Sequence, residues 1–127
     1  AWTKAFNDAL AADLAGTGVQ LFDLNTEGAK IVANPAQFAF TNVTTPACPK
    51  VAGGLDSVTG QASLSSPAAV AACNSALMSA PSGIPVGETA PDWWQRYAYS
   101  DNFHPTPALH KLIGQAINLQ LAKAGWL

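Results

Sequence analysis

The chain is poor in charge. Of its 127 residues only 11% are Asp, Glu, Lys or Arg, and the formal net charge is −2. No Lys/Arg run or basic face appears, which disfavours nucleic-acid binding. Long hydrophobic runs are missing as well. No apolar stretch reaches the roughly 18 residues that a membrane-spanning helix needs. No internal repeat is visible. No secretory leader stands at the start, although a mature form would have shed one. Apolar side chains, by contrast, make up 49% of the chain, which fits large buried surfaces and argues against disorder. One compact domain is the expectation at this length.

Cysteine and histidine are scarce, with two of each. Cys48 and Cys73 match no zinc-ligand spacing and the histidines lie far from them in sequence, so no metal is implied. The pair reads as a disulfide, and a disulfide implies an oxidising location: secreted, periplasmic or cell-surface. Two free thiols in a reducing cytosol are the alternative.

Hydrophobic spacing organises the rest. Trp2, Phe6, Leu10 and Leu14 recur every four residues, which predicts an amphipathic helix stopped by Gly16 and Gly18. The run VQLFDL, Val19–Leu24, is short, apolar and bounded by turn formers, so it reads as a buried strand. Thr26–Pro35 reads as a short helix with Thr26 as its cap. Helix, strand, helix in that order points to a layered α/β fold. Residues 41–92 then change character, holding six of the nine prolines, five of the ten glycines and four charged residues. This stretch reads as an insertion stapled by Cys48–Cys73, either a lid or substrate rim or a plain surface excursion. Part of it reads as helical, with Ser66-Pro67 as cap and first turn. The last helix has the clearest signals: Thr106 as N-cap, Pro107 at the first position, an apolar stripe from Leu109 to Leu121, Lys123 in the last turn and Gly125 beyond it. It is expected to pack on a sheet.

Just before that helix stands SDNFHPT, residues 100–106. Asp101 lies three residues before His104, and one turn of chain brings such positions together. Asp101 could accept the Nδ1 hydrogen of His104, fixing the tautomer and leaving the other ring nitrogen outward as a base. A turn aspartate can equally serve only neighbouring backbone amides, and a lone histidine is often just a satisfied polar residue. His110, flanking the apolar stripe of the last helix, reads as a boundary residue. The aromatics Trp93, Trp94, Tyr97, Tyr99 and Phe103 lead into the turn. Most read as packing, and Trp94 is the candidate substrate contact.

SDNFHPTPALHKLIG resembles the last block of the SGNH, or GDSL, serine hydrolases, where D-x-x-H-P-T precedes the C-terminal helix. FNDALAADL and VQLFDLNTEGAKIVANPAQFAFTNVTTPAC resemble further segments of that family's secreted lipase and esterase branch. The resemblance covers residues 1–48 and 93–127. It implies a three-layer α/β/α sandwich with a mostly parallel sheet, of flavodoxin-like type, with this chain as its C-terminal portion. It implies ester hydrolysis by a Ser-His-Asp triad, with His104 as general base and acid, Asp101 as its orienter, and no cofactor. Asn42–Thr44 also forms a glycosylation sequon, which the family pattern explains better. The family's nucleophile and oxyanion blocks are missing. Asp56-Ser57 follows the VQLFDL run and no hydrophobic strand leads into it, so it is rejected as the nucleophile. The expectation is therefore a separate N-terminal chain, released by proteolytic nicking, that carries the serine, with an ester or lipid as substrate. An acyltransferase of the same family, or an inactive carbohydrate- or surface-binding module, are the alternatives.

Overall fold

The computed structural model describes residues 2–48, 71, 73–101 and 103–127. The proposed helix start at Ser66-Pro67 and the rejected Asp56-Ser57 pair lie outside the described residues. Four α-helices are present among the described residues: α1 (Trp2–Asp13), α2 (Leu24–Ala33), α3 (Ser75–Ser79) and α4 (Pro107–Lys123). Three 3-10 turns, Pro35–Phe38, Pro81–Gly83 and Trp93–Arg96, also lie within the described residues.

The expected three-layer α/β/α sandwich is not what these residues form. Among the described residues there is no strand. The only β pairing is two isolated bridges, Asn42 with Tyr97 and Tyr99 with Pro105. Val19–Leu24 shows why. Residues 18–23 run without turn, bend or ladder, and Leu24 already begins α2. The residue types favour a strand, but a strand is stabilised by its neighbours, and no strand among the described residues lies alongside.

Helix α1 forms where its spacing predicts, and Gly16 and Gly18 follow it with φ of 78° and 80°, conformations glycine adopts without strain. Its apolar stripe is uncovered, however. The helix buries no residue, and Trp2 and Phe6 are 91% and 67% exposed. Helix α2 starts two residues earlier than expected, because Asp23 and not Thr26 caps it. Asp23 Oδ1 accepts from the Thr26 amide at 3.0 Å, and Oδ2 accepts from the Thr26 hydroxyl. These bonds, the hydroxyl's first, hold the Asp23 carboxyl below the usual aspartate range.

Helix α4 has the cap, first-turn proline and stop that its sequence announces. Thr106 Oγ1 accepts from the Leu109 amide, Pro107 is the first residue, and Gly125 follows the end with φ 76°. It packs on α2 and on the 40s and 90s segments, not on a sheet. Leu109 joins Ile31, Phe40 and Ala98 in one core cluster, with Leu112 and Ile113 half-buried at its edge. A second cluster gathers Ala47, Met78, Trp93 and Tyr97. Trp93 is fully buried, its Nε1–H donates to the Met78 carbonyl at 2.9 Å, and its ring meets Tyr97 edge-on at 5.4 Å. Gly83 folds so tightly against this region that a Cβ there would stand 1.9 Å from the Leu77 carbonyl oxygen.

Candidate functional site

Two chain segments 55 residues apart build the cradle under the Asp-His turn. The Thr41 amide donates to the Arg96 carbonyl and the Ala98 amide to the Asn42 carbonyl, each at 2.9 Å. Farther along, the Ala47 and Cys48 amides donate to the Tyr99 and Ser100 carbonyls at 2.9 and 2.8 Å. Asn42 holds its own segment in a turn, its Oδ1 accepting from the Thr44 and Thr45 amides at 3.0 and 2.7 Å. The Cys48–Cys73 disulfide, with Cα atoms 5.3 Å apart, ties the end of this segment to the residues before α3. The second segment is clasped from outside by Glu88, whose carboxylate accepts from Arg96 Nη2 and from the Tyr97 hydroxyl, both at 2.8 Å.

The turn itself is closed on both sides. The Ser100 amide donates to the His104 carbonyl at 2.8 Å, and the Thr106 amide to the Ala98 carbonyl at 2.9 Å. Thr106 is 1% exposed and works at both ends of its hydroxyl: it donates to the Tyr97 carbonyl at 2.7 Å and accepts as the α4 cap. His104 is therefore fixed two residues before the helix, and its ring leans edge-on against Phe103 at 5.2 Å.

Asp101 and His104 are brought together as the sequence predicts. The Asp101 side chain is 2% exposed, and its Oδ2 lies 2.8 Å from His104 Nδ1. Its Oδ1 accepts from the Phe103 amide at 2.8 Å and from the His104 amide. Asp101 makes both contacts that the sequence leaves open. One oxygen serves the turn and the other serves the ring. A buried carboxylate needs such donors, because burial without them is costly. An ionised carboxylate only accepts, so a neutral imidazole at this contact places its hydrogen on Nδ1 and its lone pair on Nε2. The His104 side chain is 54% exposed, so its free nitrogen can reach a reactant.

An apolar groove of about 430 Å³ opens beside the turn, between α2 and α4. Ile31, Leu112 and Leu119 line its length, and Tyr99, Phe103 and Pro105 form the end nearest His104. Phe103 is 81% exposed there. Sequence reasoning placed it with the packing aromatics. Its place in a tight turn next to the half-exposed His104 was the signal that it would face outward.

Trp94 does not line this groove; it lines a cavity of about 250 Å³ together with Ser100, Thr106 and Pro107. It is half-buried against the Trp93 cluster, and its Nε1–H donates to Ser79 Oγ at 3.1 Å. His110 is exposed on α4. Cys48 and Cys73 form the expected bridge. No helix of the described residues is long and apolar enough to cross a membrane. Set against family models, curated proteins and solved structures, the chain matches none.

Proposed function

We propose that this chain supplies the general base and its orienting carboxylate, His104 and Asp101, for acyl transfer from a carboxylic ester. In this reading the chain is the histidine-bearing piece of an SGNH-type ester hydrolase, and the nucleophilic serine and oxyanion donors stand on a separate chain. The observation that carries it is the pairing of a buried carboxylate with Nδ1 of a half-exposed imidazole. This imidazole is held at Nδ1 by the carboxylate and is half-exposed, the arrangement a base oriented by a carboxylate needs.

The chemistry follows the general-base scheme. As the serine oxygen attacks the ester carbonyl, its proton passes to His104 Nε2. The resulting imidazolium faces the Asp101 carboxylate, which stabilises it. His104 then returns the proton to the leaving alcohol as the carbon–oxygen bond breaks, and an acyl-enzyme remains. Water attacks next, gives its proton to His104, and the acid departs as the serine recovers its hydrogen. The apolar groove next to Phe103 supports a substrate with an apolar acyl part. The disulfide supports a secreted, periplasmic or cell-surface location.

Denaturing mass spectrometry after treatment with a fluorophosphonate tests the reading. The expected result is a second chain carrying the label, and loss of that labelling when His104→Ala replaces the wild-type chain. Because the substitution takes one donor from the buried Asp101 carboxylate, the variant should lose about 1–2 kcal/mol of stability while keeping the wild-type circular dichroism well below its melting transition. Labelling and ester turnover that persist at wild-type rates in His104→Ala would refute the assignment.

A further inference from the structure

The groove between α2 and α4 is walled by two helices, and a helix bonds its backbone groups within itself. A peptide laid along such walls would find few partners for its own amides, which is costly. An alkyl chain has no such groups to satisfy. Glu27, one of the few polar side chains on the wall, is already paired with Lys30. At about 430 Å³ the groove has the size of a small-ligand pocket. Its two ends differ. One opens at Phe103 and Pro105, the residues on either side of His104. At the other, Gln120 Nε2 donates to the Leu21 carbonyl at 2.6 Å and ties α4 to the residues before α2.

Gly28 says more about the occupant. It stands inside α2, where glycine weakens a helix, and it lines the groove. Neither usual reason for a glycine holds there. Its φ is not positive, and an added Cβ would meet nothing within 4 Å among the described residues. What the glycine leaves is room in the groove wall. On the facing helix, Leu109 is the first groove residue and Leu119 the last. Ten residues of helix separate them, about 15 Å, which matches about twelve carbons of an extended alkyl chain.

We infer that this groove seats an unbranched acyl chain of about twelve carbons along α4, and that Gly28 sets its width. The direction of the chain rests on the proposed function: the ester carbonyl lies at the His104 end and the tail points to Leu119.

Titration of the protein as purified with dodecanoate, kept below its micelle concentration, and with butanoate tests the seat. Dodecanoate should shift the methyl NMR signals of Leu112, Ile113 and Leu119, and butanoate should not. Gly28→Leu fills the groove from a position where leucine suits the helix better than glycine. It should bind dodecanoate about tenfold more weakly, with a melting temperature no lower than that of the wild type. The seat is overturned by unmoved methyls, as when a second polypeptide already fills the groove, or by shifts confined to another surface. Wild-type affinity in Gly28→Leu overturns it as well. Ester turnover is scored separately, as the preference for a dodecanoyl over a butanoyl ester, which Gly28→Leu should lower about tenfold. Dodecanoate binding without turnover or fluorophosphonate label leaves the seat standing and sinks the esterase reading. Turnover whose chain-length preference Gly28→Leu does not change does the reverse.

Discussion

An Asp101→Asn substitution separates the two tasks of that side chain. The amide oxygen can still accept from the Phe103 and His104 backbone, so the turn should hold to within about 1 kcal/mol. The amide nitrogen, however, would face Nδ1 of His104, 2.8 Å away in the wild type, and two donors cannot share that contact. The ring must then place its hydrogen on Nε2, and the basic lone pair is turned away from the reactant. Ester turnover by the assembled protein should fall by about ten-thousandfold, less than in His104→Ala, with a near-unchanged melting temperature. Steady-state kinetics beside thermal denaturation checks both halves. This dyad was legible in the sequence because it is local: three residues of chain in a turn settle the contact, whatever lies around it. Trp94 was not legible. Its indole partner, Ser79, lies 15 residues away, and the burial that decides whether a tryptophan packs or binds is a tertiary property. Asp23 shows the same limit on a smaller scale. Aspartate and threonine are both good caps, and only the backbone direction at residue 23 chose between Asp23 and Thr26.

Helix α4 and the turn before it act as one element through the Thr106 hydroxyl. Thr106→Ala removes the α4 cap and also the hydroxyl that donates to the buried Tyr97 carbonyl at 2.7 Å in the wild type. Together these should cost about 2 kcal/mol of stability. Thr106→Ser should restore most of it, since the hydroxyl and not the methyl makes both bonds. Denaturant unfolding of the three proteins gives the comparison. The caps of α4 were readable because capping is a short-range contest among backbone groups. The α1 boundaries were readable for a similar reason, as the paired glycines force a stop. The face of each helix was readable as well, but not what lies against it. The periodicity of α1 announces a buried stripe that stays open, and the stripe of α4 meets α2 where a sheet was expected. The VQLFDL segment failed for the converse reason. Strand propensity describes how well residues fit beside neighbours, and among the described residues no strand pairs with residues 18–23.

At the scale of the whole molecule, the Cys48–Cys73 bridge closes a loop of 25 residues and anchors the segment that lies under the Asp-His turn. In the loop-entropy picture, reducing it should remove about 3 kcal/mol. Because Cys48 is fully buried and its amide holds the Ser100 carbonyl, loss of the bridge should loosen the turn along with the loop. Unfolding curves with and without a reductant, alongside ester turnover, should move together. A reduced protein as stable and as active as the oxidised one would mean that the bridge only decorates the surface. The disulfide itself was readable from two cysteines with no third ligand. Its position beneath the turn was not, because that depends on how residues 41–48 lie along residues 96–100. The placement of Trp93 has an optical consequence. Trp2 and Trp126 face water, so they emit at the red end of the tryptophan range whether the bridge is open or closed. Trp93 is sealed from solvent in the cluster against which Cys73 packs, and a disulfide beside an excited indole drains its emission by electron transfer. Opening the bridge should therefore brighten the blue edge of the spectrum before any red shift reports unfolding, so that the intrinsic fluorescence of the chain records its redox state.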